Sequence, residues 1–321
     1  ITRERNEEMK DNQYITQKSR KKQILLGLKS SWRLYVLLLP ALAFVFIFQY
    51  IPLYGVQIAF RDYVITKGFW GSNWVGLKHF IYFLESPQFP LLMRNTLLIS
   101  IYSLLWGFPI PIILALLLNE VKVPWFKKLI QNLTYAPYFI STVVIVSMLF
   151  NFFSPVNGIV NVFLNSLGIE SIDFMGKNEY FRSLYIGSGI WQSTGWSSII
   201  YLGALSGVDP ELHEAAQIDG ANRLQRIWHI NLPGILPTII MLLILSLGGI
   251  LGVGFEKIYL MQNALNLEIS EVISTYVYKV GIQGAKFSYT TAIGLFNSVI
   301  NFILLLIVNT ISKKATDISL F

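Results

Sequence analysis

Long stretches of this chain contain almost no ionisable side chain, and that property decides what it can fold into. Residues 34–58, 91–118, 134–153, 184–205, 238–253 and 289–311 are dominated by Leu, Ile, Val, Phe and small residues, and Arg94 is the only Asp, Glu, Lys or Arg inside them. A hydrocarbon core of about 30 Å is crossed by roughly 20 helical residues, and it leaves no water to satisfy an open backbone. The six runs therefore predict six transmembrane helices in an all-α membrane protein. With 54% hydrophobic and 13% charged residues among 321, the chain carries about half the usual charged share of a soluble domain. That excludes a water-soluble globule, and the connections are too short for a separate domain. The first run continues well past Ala41-Leu42-Ala43, so it reads as an uncleaved span rather than a signal peptide. The chain has no Cys, which removes disulfides, thiolate nucleophiles and thiolate-held zinc.

Charge sets the orientation. Segments 1–33, 119–133, 206–236 and 312–321 hold 16 of the 25 Lys and Arg, against 7 in segments 59–91, 154–183 and 259–288. Basic loops stay in the cytoplasm, which puts the first set and both termini there: a basic N-terminal segment over 1–33, a membrane domain over 34–311 and a short tail over 312–321. The net charge of +7 thus serves topology and contact with lipid headgroups, not nucleic-acid binding. Arg94 and Lys257 fall at outer span ends, where their stems are expected to snorkel to the interface. Trp32, Trp70, Trp74 and Trp125 lie outside the apolar runs as interfacial anchors. Every span contains Gly, Pro, Ser, Thr or Asn, the small and mildly polar residues of helices that pack closely. The spans lack the buried charge that an ion-coupled carrier needs.

The connection 206–236 is the most informative. Asp209, Pro210 and Glu211 read as N-cap, first helical position and first-turn acid, and Gly220 as the left-handed residue that closes a short helix. Leu224, Ile227, Trp228 and Asn231 predict one face of a second helix that stops before Pro233. On the first helix, Ala215 and Ala216 permit close backbone approach beside the Glu214 carboxylate. Such a helix can insert into a groove on another protein or rest on headgroups.

The order Glu214-Ala215-Ala216, Gly220, then Ile230-Asn231-Leu232-Pro233 resembles the EAA motif of the permease subunits of ATP-binding-cassette importers that work with a substrate-binding protein. Val75-Gly76-Leu77-Lys78-His79-Phe80 and Arg94-Asn95-Thr96 are similar to the carbohydrate branch of that family, although His79 stands where many relatives have Asn. Gln217-Ile218-Asp219-Gly220-Ala221 and Arg226-Ile227-Trp228-His229 resemble permeases for polysaccharide or complex oligosaccharide uptake. The resemblance implies a type I ABC importer bundle in a bacterial plasma membrane, with a cytoplasmic coupling helix between helices 4 and 5. It also implies a second homologous permease, two copies of a cytoplasmic ATPase that hold ATP and Mg, an extracellular solute-binding protein and a carbohydrate cargo. Glu214, Ala215, Ala216, Asp219, Gly220, Ile230, Leu232 and Pro233 would couple to the ATPase.

A sugar path needs hydroxyl partners and flat apolar faces at helical spacing. In the fourth span Ser188, Gln192, Gly195 and Trp196 share a face; in the sixth, Thr290, Gly294, Asn297 and Asn301; Ser147 and Asn151 add to the third. The sixth-span stripe is the better candidate, although the same residue types also serve helix packing. His79, His213 and His229 supply no metal-ligand spacing, no phosphate loop is present, and no residue reads as catalytic, so the chain is expected to bind no cofactor. Six spans alone would also suit an ATP-independent carrier or channel, which leaves the spaced motif unexplained. A membrane-embedded glycosyltransferase or lipid-modifying enzyme would need acidic, His or Arg residues clustered at one membrane face; Asp209, Glu211, Glu214 and Asp219 do cluster, but on a loop whose spacing has a better reading.

Overall fold

Residues 31–316 and residue 319 are described in the computed structural model; residues 1–30 of the basic segment and Asp317, Ile318, Leu320 and Phe321 of the tail lie outside the described residues. By contact the chain divides into residues 1–57 and residues 58–321. The described part of the first unit belongs to α1 (Trp32–Phe60), which contains a π-helical turn, Phe46–Tyr50, just before Pro52.

In the second unit, β1 (Arg61–Asp62) and β2 (Asn73–Trp74) form one antiparallel pair, the only sheet among the described residues. Helices α2 (Lys78–Leu84), α3 (Gln88–Glu120), α4 (Pro124–Phe139), α5 (Thr142–Phe152) and α6 (Ile159–Ser166) follow. Next come α7 (Asn178–Leu205), α8 (Pro210–Ile218), α9 (Arg223–Gly248) and α10 (Phe255–Met261). The chain ends with α11 (Leu267–Ser270), α12 (Ile273–Val277), which runs on as a π-helix to Gln283, and α13 (Phe287–Thr316).

Among the described residues four helices are long and apolar enough to cross a membrane, α1, α3, α9 and α13, and α4 with α5 makes up to five. Six spans were expected, and two of the runs are not single apolar helices of that kind. The third run is bent by 99° because Ile140 and Ser141 are extended and the Ser141 hydroxyl caps a new helix through Val144 N–H at 3.4 Å. The fourth run lies inside α7, whose 28 residues are long enough at about 1.5 Å each. Gln192, Ser193, Thr194, Ser197 and Ser198 dilute its apolarity. This least lipid-like long helix packs on α3, α4, α9 and α11.

The segment after α8 departs from expectation as well. Its helix does not stop before Pro233 but runs to Gly248. A proline removes an N–H and crowds the carbonyl four residues back; the π-helical turn Ile227–Asn231 widens the helix just where that crowding would fall. The same device precedes Pro52 in α1.

Among the described residues the core has three parts. Ile99, Ile145, Phe181, Ile258 and Met261 join α3, α5, α7 and α10. Ile112, Tyr201, Leu205 and Ile235 join α3, α7 and α9. Phe83, Leu92, Ile273, Tyr289 and Ile293 join α2, α3, α12 and α13. Buried amides fasten the region around the N-terminal end of α7. Asn95 Nδ2 donates to the carbonyls of Glu268 at 2.8 Å and Glu271 at 3.0 Å, and the Thr96 hydroxyl accepts from Ile273 N–H at 3.1 Å. Asn266 Nδ2 donates to the carbonyls of Met175 at 3.1 Å and Met261 at 3.0 Å, while Asn161 bridges Ser154 and Ile172.

Candidate functional site

Two regions concentrate the singled-out residues. The first is the loop after α7. The Asp209 carboxylate accepts from Glu211 N–H at 2.9 Å, with Pro210 in the first turn of α8. At the other end Gly220 adopts φ +78°, and its N–H and that of Ala221 return to the carbonyls of Gln217 at 3.1 Å and Ala216 at 2.8 Å. This paired closure needs a left-handed residue, which glycine supplies at no steric cost. Asn222 and Gln225 then cap α9 reciprocally, at 2.9 and 2.7 Å. Every turn is completed by its own residues, and α8 buries none of them.

Glu214, Ala215, Asp219, Gly220 and Pro233 are exposed, and Ala216, Ile230 and Leu232 are half-buried. Around α8 stand three bare apolar side chains, Ile218 at 87%, Leu224 at 76% and Trp228 at 68% exposure. The expected single face of Leu224, Ile227, Trp228 and Asn231 therefore splits in two. Leu224 and Trp228 face outward, whereas Ile227 packs on the core and Asn231 is buried with Nδ2 3.4 Å from Glu120 Oε1.

The second region is a cleft of about 490 Å³ between α3, α7, α9 and the turn after α9, lined in part by Ser103, Tyr185, Ser193, Trp196 and Ser246. A smaller one of about 290 Å³ shares Ser103, Gly107, Tyr185 and Ser193 with it and is completed by Gln192 and Lys257. Gln192 also donates to the Ile140 carbonyl at 3.1 Å, and Trp196 stacks on Tyr138 with ring centres 4.6 Å apart. Gly195 lines neither cleft: a Cβ there would run into the Thr134 carbonyl and the Tyr135 ring, so the glycine sets how closely α7 approaches α4.

The sixth-span stripe lies elsewhere. Thr290 is buried and returns its hydroxyl to Lys286 at 3.0 Å, Asn301 Oδ1 accepts from Leu251 N–H at 3.1 Å, and Asn297 is half-buried. None of the three lines either cleft, and Asn151 is exposed outside them.

Lys257 was expected to snorkel and does not. Its side chain is 9% exposed, and Nζ donates to the Tyr185 carbonyl at 3.0 Å and sits 5.1 Å from the centre of the Tyr185 ring. Glu256, one residue earlier and about 100° around the helix, is exposed. Arg94, the other basic residue placed at a span end, is exposed. No cluster of three or more His, Asp or Glu able to hold a metal occurs among the described residues.

The hairpin near α2 is tied by charge. Lys78 Nζ lies 2.7 Å from Asp62 Oδ2, and His79 Nε2 lies 3.1 Å from Asp62 Oδ1. The hydrogen bond from Lys78 is the largest cause holding the Asp62 carboxyl below its ordinary range.

Residues 107–317 match the family model of the binding-protein-dependent transport system inner membrane component. The chain is 45% identical over 300 residues, 94% of each protein, to the polygalacturonan/rhamnogalacturonan transport system permease protein YteP of Bacillus subtilis (strain 168). It is 46% identical over 297 residues to protein LplB of the same organism, covering 92% of this chain and 93% of LplB. Its fold matches, with a TM-score of 0.84 and 41% identity, a chain of the crystal structure of a bacterial alginate ABC transporter in complex with an alginate pentasaccharide-bound periplasmic protein. That match covers 92% of this chain and 98% of the other.

Proposed function

Because the chain belongs to the binding-protein-dependent transport system inner membrane component family, we propose that it passes a carbohydrate, an oligosaccharide or polysaccharide fragment, from an extracellular binding protein into the cytoplasm. It is a multi-pass membrane permease of an ABC transporter and not an enzyme. In this proposal a second, homologous permease completes the translocation path, and two copies of a separate ATPase hold ATP and Mg and do the hydrolysis. Both termini and the 206–236 loop face the cytoplasm, in keeping with the Lys and Arg bias. Helix α8 seats in the ATPase through Glu214, Ala215, Ala216, Asp219 and Gly220, while Ile230, Leu232 and Pro233 brace it at the start of α9. Closure of the ATPase pair on ATP then rocks the attached bundles, and the cleft beside Gln192 and Trp196 changes the side to which it opens.

One observation carries this reading: a helix capped at both ends by its own residues, burying nothing and ringed by bare Ile218, Leu224 and Trp228. A monomer has no use for that ordered apolar surface, whereas a protein partner does. Glu214→Arg in the assembled transporter, reconstituted in liposomes, is expected to reduce ATP-dependent uptake to background while the chain is still extracted in wild-type yield. A carboxylate exposed on a docking helix matters to the partner and not to the fold. Undiminished uptake by this variant would overturn the docking role of α8.

A further inference from the structure

A buried ammonium group without an acid beside it is rare, because removing it from water is costly unless a partner compensates. Lys257 is such a group. Its only hydrogen bond among the described residues goes to the Tyr185 carbonyl, so two of its three N–H donors are uncommitted. It takes no part in any of the ion pairs found among the described residues, which join Asp62 to Lys78 and His79 and Glu271 to Lys279. Its neighbour Glu256 points out to the exposed face of α10. The Tyr185 carbonyl and the Tyr185 ring, 5.1 Å from Nζ, offset part of the cost of burying the charge, but no carboxylate among the described residues pairs with it.

Where the ammonium lies gives a reason. Lys257 closes the smaller cleft against Ser103, Gly107, Gln192 and Ser193, and an added Cβ on Gly189 would meet Nζ at 3.5 Å. A glycine at this position keeps that side of the ammonium open to the cleft. Gln192 and Ser193 offer neutral hydrogen-bonding groups beside the cation, and Trp196 and Tyr185 line the adjoining larger cleft with flat rings. A cation, neutral polar groups and aromatic faces together suit a sugar that carries a carboxylate.

We propose that Lys257 recognises a uronate carboxylate of an anionic saccharide in the cleft between α3, α7 and α10, an assignment that rests on the carbohydrate import proposed above. The ammonium supplies a charge-assisted hydrogen bond that a neutral sugar cannot use, so Lys257 sets a preference for acidic over neutral chains.

The test uses the complete transporter, with its partner permease, ATPase and binding protein, reconstituted in liposomes. ATP-dependent uptake of trigalacturonate is compared with uptake of the same trisaccharide after its carboxyl groups have been reduced to alcohols. The acidic-to-neutral ratio is expected to fall about tenfold or more in Lys257→Gln, the scale of one hydrogen bond to a charged group, and to recover in Lys257→Arg. Ser193→Asp, which places a competing carboxylate in the same cleft, lowers the ratio too and serves as the readout if Lys257→Gln does not assemble. An unchanged ratio in an assembled Lys257→Gln transporter overturns the assignment, as does an unchanged ratio in Ser193→Asp where Lys257→Gln fails to assemble; the lysine then pairs with a neighbouring subunit. Wild-type uptake of the neutral trisaccharide alone refutes the uronate preference but leaves carbohydrate import standing. ATP hydrolysis without uptake of either sugar removes the carbohydrate reading and this assignment with it.

Discussion

The two ends of α7 are built on opposite plans. Around its N-terminus, side chains are spent on the protein itself: Asn95, Asn161 and Asn266 are all at most 2% exposed, and each is hydrogen-bonded to backbone from a distant or irregular segment. Beyond its C-terminus, the side chains of Asp209, Asn222 and Gln225 complete only their own turns, and α8 contributes nothing to any core. The first region is held by long-range bonds whose loss spreads, and the second by local bonds whose loss stays local. The lesson is that ordered structure with no long-range hold keeps its shape for something outside the chain.

Substitutions can break this contrast, and the largest effect is expected at Asn266. Its Nδ2 bonds two carbonyls, and its Oδ1 accepts from Asn263 N–H at 3.1 Å and from the Ser270 hydroxyl at 2.9 Å. Asn266→Ala strands several buried groups and should cost about 3 kcal/mol, read as a drop of several degrees in the melting temperature of the detergent-purified protein. An unchanged melting temperature would mean that the buried amides do not hold this end together. Asp209→Ala is expected to cost about 1 kcal/mol of helix stability without moving the global melting temperature. Hydrogen exchange should quicken in the first turn of α8 alone, and spread of that change into α7 or α9 would show the loop to be coupled to the core.

The smallest effect belongs to the exposed hairpin. Asp62 has a folded-state pKa below its ordinary 3.8, so its contact with Lys78 contributes fully above that value and is lost as pH falls through the lower folded one. Because both side chains are largely exposed, Asp62→Asn should leave the melting temperature at neutral pH almost unchanged. A large drop would place this hairpin with the long-range fastenings instead.

What the sequence made legible follows the same division. Asp209, Pro210 and Gly220 announce α8 because caps are decided by neighbours in the chain, and the apolar runs announce helices for the same reason. Arg94-Asn95-Thr96 stood out as a motif, yet its purpose, bonding residues 268–273, needs the partner segment to be in place. The bend in the third run had a signal in Ser141-Thr142 after Pro137, a cap following a turn, hidden inside an apolar stretch. Pro233 looked like a stop because a π-helical turn cannot be read from composition. Lys257 was expected to snorkel because it falls at a span end, but which way a side chain points there depends on the helices packed around it, here α7 with the Tyr185 carbonyl. Gln192 and Trp196 of the fourth-span stripe border a cleft, whereas Thr290, Asn297 and Asn301 of the sixth line neither, a difference that helical spacing alone cannot express.

The polar character of α7 also bears on how the chain gets into the bilayer. Ser193, Thr194 and Ser198 return their hydroxyls to the carbonyls of Gly189, Ile190 and Gly195 at 2.8, 2.6 and 2.6 Å, which masks them from lipid before any neighbour arrives. Gln192 has no such shelter within its own helix; its amide reaches Ile140, which the ribosome makes some 50 residues earlier. Synthesis therefore delivers the needy helix after the carbonyl that receives it, and the N-to-C order of the chain doubles as an assembly schedule.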